Sequence, residues 1–403
     1  MSTFLKSPPD FQRHNDEARK VWSAYHAGTP TRVPMSIYGS ITNYFHNPEL
    51  NVRGHTFQEY FEDPLVQIQT QLEYQDYRQH NWVCDRPMGL PEDGWNLIVD
   101  FQNSYDAGWF GCEIVYMPGY VPDTLPILAQ HKEKLYDLPE TLPIDNGLIG
   151  RGIAFREAMQ EYCKNNTYKG LPIKPPGRYL GEATDGVLDL AYKLRGAENI
   201  LIDMYEDKKY YHDLMEYITR NLINRMRSLR KMRWAGDPQA DDFGKMKLPG
   251  FAFAEDALVL ISFETYIEYV YPYHRRIIDE FSDGSGISMH LCGAGMQHFK
   301  GLNKHLGIVS FDTGFPIDFG IMRQQVGPDV EISGGPTVML VKDGTPCAIT
   351  EEVKRILSTG VTEGGKFIMT AANNLAPQTP VENIAAMYEA VKKYGSYPIK
   401  TSS

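Results

Sequence analysis

Hydrophobic and polar residues follow two periods along this chain. From Pro175 onward, short runs of alternating or continuous apolar residues are separated by longer stretches with apolar positions every three or four residues. The first pattern reads as β-strand and the second as helix. The strand-like runs are Pro175–Glu182, Gly250–Asp256, Gly286–Gly293, Ile308–Gly314, Val330–Pro336 and Gly365–Asn373. Between them, Asn199–Arg230 sets Tyr211, Leu214, Met215, Ile218 and Leu222 on one helical stripe, and a further helix is predicted near Ser262–Asp279. Thr350-Glu-Glu predicts a helix start with acids in its first turn, and Gly360 its end. Thr379-Pro380-Val-Glu382 predicts a capping box with proline at the first helical position.

The N-terminal half is less regular. Asp10–Ala27 reads as a helix, and Arg32–Gly39 as a buried first strand. The stretch Asn43–Pro143 carries Trp82, Trp95, Trp109, Phe110 and the turn-prone Gly89–Gly94, and is too long for one strand–helix step. It is expected to form a β-rich insertion or cap, its aromatics serving either as core or as a ligand-facing wall. The first strand, one strand from this region and the six runs above predict a (β/α)8 barrel, with an open doubly wound sheet as the alternative. No linker or low-complexity tract marks a boundary, so a single barrel domain is expected.

Composition narrows the class without naming a reaction. The 403 residues suffice for a large core, and 42% hydrophobic with 23% charged residues is ordinary for a globular protein. A net charge of −11 argues against nucleic acid as partner. No run reaches the length of a membrane span, and Met1–Pro9 shows no apolar leader. The five scattered cysteines make a disulfide framework improbable, and a cytoplasmic protein is expected.

In a barrel of this kind the chemistry gathers at the C-terminal ends of the strands. There the chain offers Glu255-Asp256, His290-Leu-Cys292, Asp312, Gly334-Gly335 and Asn373-Asn374. Period-two geometry puts His290 and Cys292 on one face of a strand, where imidazole and thiol could both ligate zinc. The bland readings are a packed core thiol, and Asp256 and Asp312 acting as caps of the helices that follow.

The order Ala254-Glu-Asp, His290-Leu-Cys292-Gly, Phe311-Asp312, Gly334-Gly-Pro, Gly344-Thr-Pro, Gly364-Gly-Lys-Phe-Ile and Thr379-Pro-Val-Glu-Asn383-Ile resembles the uroporphyrinogen decarboxylase-like superfamily. The resemblance covers the C-terminal half well and the N-terminal half loosely. It implies a TIM barrel. The decarboxylase activity itself is disfavoured, because Pro34–Ser40 lacks the arginine that would meet a substrate rich in carboxylates. The corrinoid-dependent methyltransferase branch is the better match. In that branch a His-x-Cys and a later cysteine hold zinc; here His290 and Cys292 are kept, and Asn373 stands at the position of the later cysteine. The aryl-ether O-demethylases of this group, which pass a methyl group to the cobalt of a separate corrinoid protein, are the most similar. They imply a glutamate ligand, for which Glu255 is the first choice and Glu268 the second.

The expected site therefore has Glu255, Asp256 and His290 as catalytic groups and Glu255, His290 and Cys292 as zinc ligands. Tyr38, Trp109, Asp312 and Asn373 are the expected substrate contacts. The expected partners are a corrinoid protein and a small aromatic methyl ether; a homodimer is allowed but not specified. A phenol has a pKa of about 10, so its phenolate leaves poorly without a Lewis acid or proton donor on the ether oxygen. The alternatives are a zinc-dependent methylcobamide:thiol or amine methyltransferase, another activity on the same type of barrel, and a barrel that binds an aromatic or tetrapyrrole ligand without catalysis.

Overall fold

A computed structural model describes residues 3–237 and 246–399; Met1 and Ser2 of the N-terminal stretch lie outside them. The parallel strands are β1 (Ala252–Ala254), β2 (Ser288–Leu291), β3 (Ser310–Thr313), β4 (Glu331–Gly334) and β5 (Phe367–Met369). They form one sheet in the order β5-β4-β3-β2-β1, so consecutive strands are neighbours, as right-handed βα units demand. The helices used below are α1 (Phe11–His26), α2 (Val187–Arg195), α3 (Lys208–Arg233), α4 (Tyr271–Phe281) and α5 (Val381–Tyr394). The fold is α/β, of the βα-barrel type expected. Eight parallel strands are not seen among the described residues: the sheet has five, and the first-strand segment bridges to it through Met35 and Met369.

The chain divides into two units, Met1–His55 with Gln69–Trp95 and Leu291–Ser403, and Thr56–Ile68 with Asn96–His290. In the first unit the segment around Met35 lies parallel to β5, with Met369 N–H donating to Pro34 O and Ser36 N–H to Met369 O, each at 2.9 Å. Thus the first strand sits beside the last, as a barrel requires. A buried ion pair fixes it there. Arg32 donates to both carboxylate oxygens of Asp85 (2.7 and 2.5 Å), which also accept from Met35 N–H (2.7 Å) and Tyr388 O–H of α5 (3.1 Å). All three residues of β5 are buried, as expected of a parallel strand covered on both faces.

The second unit holds β1, most of β2, helices α2 to α4 and most of the aromatic region. Pro175–Glu182, read as a strand, is irregular. Its consecutive Pro175 and Pro176 donate no backbone N–H to a ladder, and Gly181 has φ +89°. The region Asn43–Pro143 holds more helix than strand and is not β-rich. Its longest element is the helix Pro64–Asn81, and its strands are the short hairpin Glu113–Val115/Asp123–Leu125 and Trp95–Asn96. The helix predicted over Asn199–Arg230 breaks at Asp207, whose side chain caps α3 by accepting from Tyr210 N–H (3.2 Å). The predicted Ser262–Asp279 helix also divides, at Val270.

Two helix starts are corrected. The helix predicted from Thr350 begins at Pro346, capped by Thr345, and Thr350 lies inside it donating to Pro346 O. The box predicted at Thr379 is not formed: its hydroxyl donates to Ala376 O instead, and α5 has no side-chain cap. No described helix is long and apolar enough to cross a membrane, and all five cysteines are free.

Removing Asp85 leaves the Arg32 guanidinium buried without its bidentate partner and strips Met35 N–H of its acceptor. Asp85→Ala is expected to destabilise the protein by about 3–5 kcal/mol in urea unfolding. The exposed control Asp16→Ala is expected to leave the unfolding midpoint close to that of the wild type.

Candidate metal centre

Parity along the strands decides which side chains meet. β1 and β2 are paired in parallel register with Phe253 opposite Met289 and Ala254 opposite His290. Phe253 and Met289 are buried, while Ala254 and His290 are half-buried on the other face. Extending that alternation past Ala254 gives Glu255 the buried face of Phe253 and Asp256 the open face of His290. The structure agrees. Asp256 Oδ1 lies 3.8 Å from His290 Nε2, with the two side chains 50% and 28% exposed. Cys292 follows two residues after His290 along the same extended chain. Asp256 and His290 therefore form a candidate ligand pair within the second unit.

Cys292 is held by its neighbours in the first unit. Asn373 Nδ2 donates to Cys292 Sγ at 3.0 Å, and Asn373 Oδ1 accepts from Asn374 N–H at 2.6 Å. Asn373 has φ +156°, which few residues with a side chain adopt. Gly314 leaves the thiol its room, since a Cβ there would lie 2.6 Å from Cys292 Sγ.

Glu255 does not join the metal group, and its expected ligand role is corrected. Its carboxylate is fully buried, accepting from Leu188 N–H (3.1 Å) and Asp189 N–H (2.6 Å) at the start of α2. His274 Nε2 of α4 is 2.7 Å away. Burial pushes Glu255 up to about 8, against the pull of the backbone N–H groups, and pushes His274 down to about 3. Near neutral pH both groups are therefore uncharged. One proton between them satisfies the hydrogen bond.

Among the other expected contacts, Trp109 is corrected to a core residue. It is 1% exposed, donates to Pro143 O (2.9 Å) and stacks under Arg225, whose guanidinium carbon is 4.9 Å from the ring. Tyr38 is half-buried, with Arg86 5.1 Å above its ring and Leu375 N–H on its carbonyl. Asp312 is half-buried on β3, in register with Ser333. Glu268 is exposed and paired with Lys208. Sequence reasoning missed Asp189, whose two oxygens accept from Asp256 N–H (2.8 Å) and Ala257 N–H (2.7 Å). An acid in a first helical turn just after a glycine was the available signal, but it reads equally well as an ordinary cap.

Residues 252–394, from β1 through α5, match the sequence model of the uroporphyrinogen decarboxylase family. That stretch includes Asp256, His290, Cys292, Asp312 and Asn373. Over 137 residues the chain is 34% identical to a methylated-thiol–coenzyme M methyltransferase of Methanosarcina mazei, covering 33% of this chain and 34% of the relative. Over 136 residues it is 25% identical to a methylcobamide:CoM methyltransferase, MtbA, of Methanosarcina acetivorans, covering 34% and 38%. The chain thus spans little more than a third of the length of the curated relatives it matches. A solved structure described as a methyltransferase from Methanosarcina mazei superimposes with a TM-score of 0.60 at 14% identity, over 94% of this chain and 98% of that one, and shares its fold. The resemblance read from the motifs is upheld at the level of the superfamily and its methyltransferase branch.

The Glu255–His274 pair predicts a pH signature. Folded Glu255 keeps its proton to about pH 8, whereas an unfolded carboxyl releases it near 4.5, so stability falls as pH rises through that window. Folded His274 stays neutral down to about 3 against an unfolded 6.5, an opposite slope confined to lower pH. Between pH 6.5 and 8 only the fall remains. Urea unfolding at pH 6.5 and pH 8 is expected to show wild-type stability dropping by roughly 1 kcal/mol or more, with a flatter profile in Glu255→Gln despite its lower baseline.

Proposed function

We propose that this chain is a methyltransferase that removes the methyl group of a phenyl methyl ether and delivers it to the Co(I) corrinoid of a separate protein. The pairing of Asp256 with His290, with Cys292 two residues further along the chain, carries the reading. One imidazole nitrogen, one thiol sulfur and one carboxylate oxygen suit zinc, and three protein ligands leave the open fourth position of a catalytic site. Bonds of about 2.0–2.3 Å in a tetrahedron set ligand atoms about 3.5 Å apart, so Asp256 Oδ1 and His290 Nε2, 3.8 Å apart, close with small side-chain rotations. Zinc bound there would supply Lewis acidity at the ether oxygen as phenolate charge develops.

The chain's own residues do the rest. His290 offers a ring nitrogen, Cys292 a sulfur and the half-exposed Asp256 a side-chain oxygen. The amide of Asn373 turns its N–H toward sulfur and withdraws charge from it. A single, hydrogen-bonded thiolate makes a harder, more electrophilic centre than a pair of thiolates would, which suits an ether oxygen better than a thiol. The second reading, transfer between a corrinoid and a thiol, draws its support from the activities of the two Methanosarcina relatives.

Incubation with a methoxylated phenol and a reduced corrinoid protein is expected to give the free phenol and methylcobalt, followed by the cobalt spectrum. His290→Ala is expected to lower the rate by about 100-fold or more with its circular dichroism unchanged. Methyl transfer to or from a thiol, without phenol release across a panel of aryl ethers, would decide for the second reading. Tight aromatic binding with no transfer from any donor would leave only a binding protein.

A further inference from the structure

We infer that Asp189 is a positioning residue for the metal centre, acting through the backbone of Asp256. This rests on the proposed metal reading. Two segments of the second unit, the start of α2 and the end of β1, hold each other by a crossed exchange. Glu255 accepts from Leu188 N–H and Asp189 N–H, and Asp189 accepts from Asp256 N–H and Ala257 N–H. Each acid takes two amides from the other's segment, including the amide of, or next to, the other acid.

The approach is as close as a chain allows. Gly186, at φ +111°, would bring a Cβ against Ala254 O and to 2.5 Å from Glu255 Oε2. The two arms of the exchange do different things. Glu255 is buried and also meets His274, so its arm anchors the end of β1 to α2 and α4. The Asp189 arm grips the residue that presents a carboxylate to His290. With both N–H groups of residues 256 and 257 fixed, the Cα–Cβ bond of Asp256 has one direction, and side-chain rotation alone remains to bring its oxygen 3.8 Å from His290 Nε2. Without Asp189, the short 3-10 turn of residues 256–260 loses both of these hydrogen bonds to the start of α2. Groups that orient a metal ligand from outside the coordination sphere typically set affinity by about 10–100-fold.

Cobalt(II) reads this without any turnover. The wild-type protein is expected to bind one Co(II), with d–d bands of a low-coordinate site and a thiolate-to-cobalt charge-transfer band from Cys292. Asp189→Ala is expected to weaken Co(II) binding by about 10–100-fold and shift the d–d bands while keeping the thiolate band. Asp256→Asn is expected to give the same shift. The double variant is expected to lose little more than either alone, because both changes remove one ligand's contribution. Asp189→Asn, which keeps one acceptor oxygen, is expected to fall between and secures the comparison if the alanine variant folds poorly. Wild-type affinity and spectrum in both Asp189 variants, or losses that add in the double variant, would overturn the inference. A wild-type protein that takes up no Co(II) would instead overturn the metal centre itself, and the positioning role with it.

Discussion

The exchange of backbone amides between Glu255 and Asp189 is the constraint on which the second unit's chemistry depends. It joins a strand end to a helix start by four hydrogen bonds to two carboxylates, at a point where a glycine is needed for the chains to approach. N–H groups at a helix start have no intrahelical acceptor, so a carboxylate there satisfies a demand the helix creates. Here one carboxylate comes from the strand instead of the helix's own cap, since Gly186 has no side chain to give. The helix start and the strand end therefore fix one another. Asp256 inherits a defined position without being buried, and stays half-exposed.

In the first unit the corresponding constraint is at Cys292. Its sulfur has Asn373 on one side and Gly314 on the other, so the thiol can neither swing freely nor be crowded. The N–H of Asn373 gives that sulfur a fixed hydrogen-bond donor. The residue that replaces the cysteine of the resembling branch is thus hydrogen-bonded to the cysteine that remains. Its backbone at φ +156° shows that this loop accepts an unusual conformation to place that amide.

Much of the fold was legible because strands and helices in this chain repeat a simple alternation. The runs from Gly250 onward all contain strands, and the half-buried alternation of Ser288–Leu291 was visible in its letters. The tandem prolines at 175 and 176 misled, since apolar neighbours gave a strand pattern that a chain without amide donors cannot hold. The aromatic region misled in another way: Trp109 and its neighbours were rich enough to read as a pocket wall, yet Trp109 spends its N–H on Pro143 and its ring on Arg225. Composition does not say which face of an aromatic meets solvent. The site was half legible. His290 and Cys292 were fixed by local spacing, whereas Asp189 and His274 reach the site from 67 and 19 residues away along the chain, a separation that no spacing rule in one sequence encodes.

The exchange of roles between Glu255 and Asp256 is the most instructive of these outcomes. Two adjacent acids at a strand end were both assigned to the open face, but consecutive side chains of an extended chain point to opposite faces. The register already contained the answer. His290 lies opposite Ala254, so the acid that shares its face must be an even number of residues from Ala254, and that is Asp256. Glu255 falls on the side of Phe253, whose ring packs edge-on against His274 at 5.1 Å. A carboxyl group there has lost its water, and that burial holds it neutral to about pH 8 against the pull of the two amides it accepts from, with His274 as its side-chain partner. The outward acid keeps solvent on one side and has the imidazole of His290 3.8 Å away on the other. One residue of parity separates a structural acid from a candidate ligand.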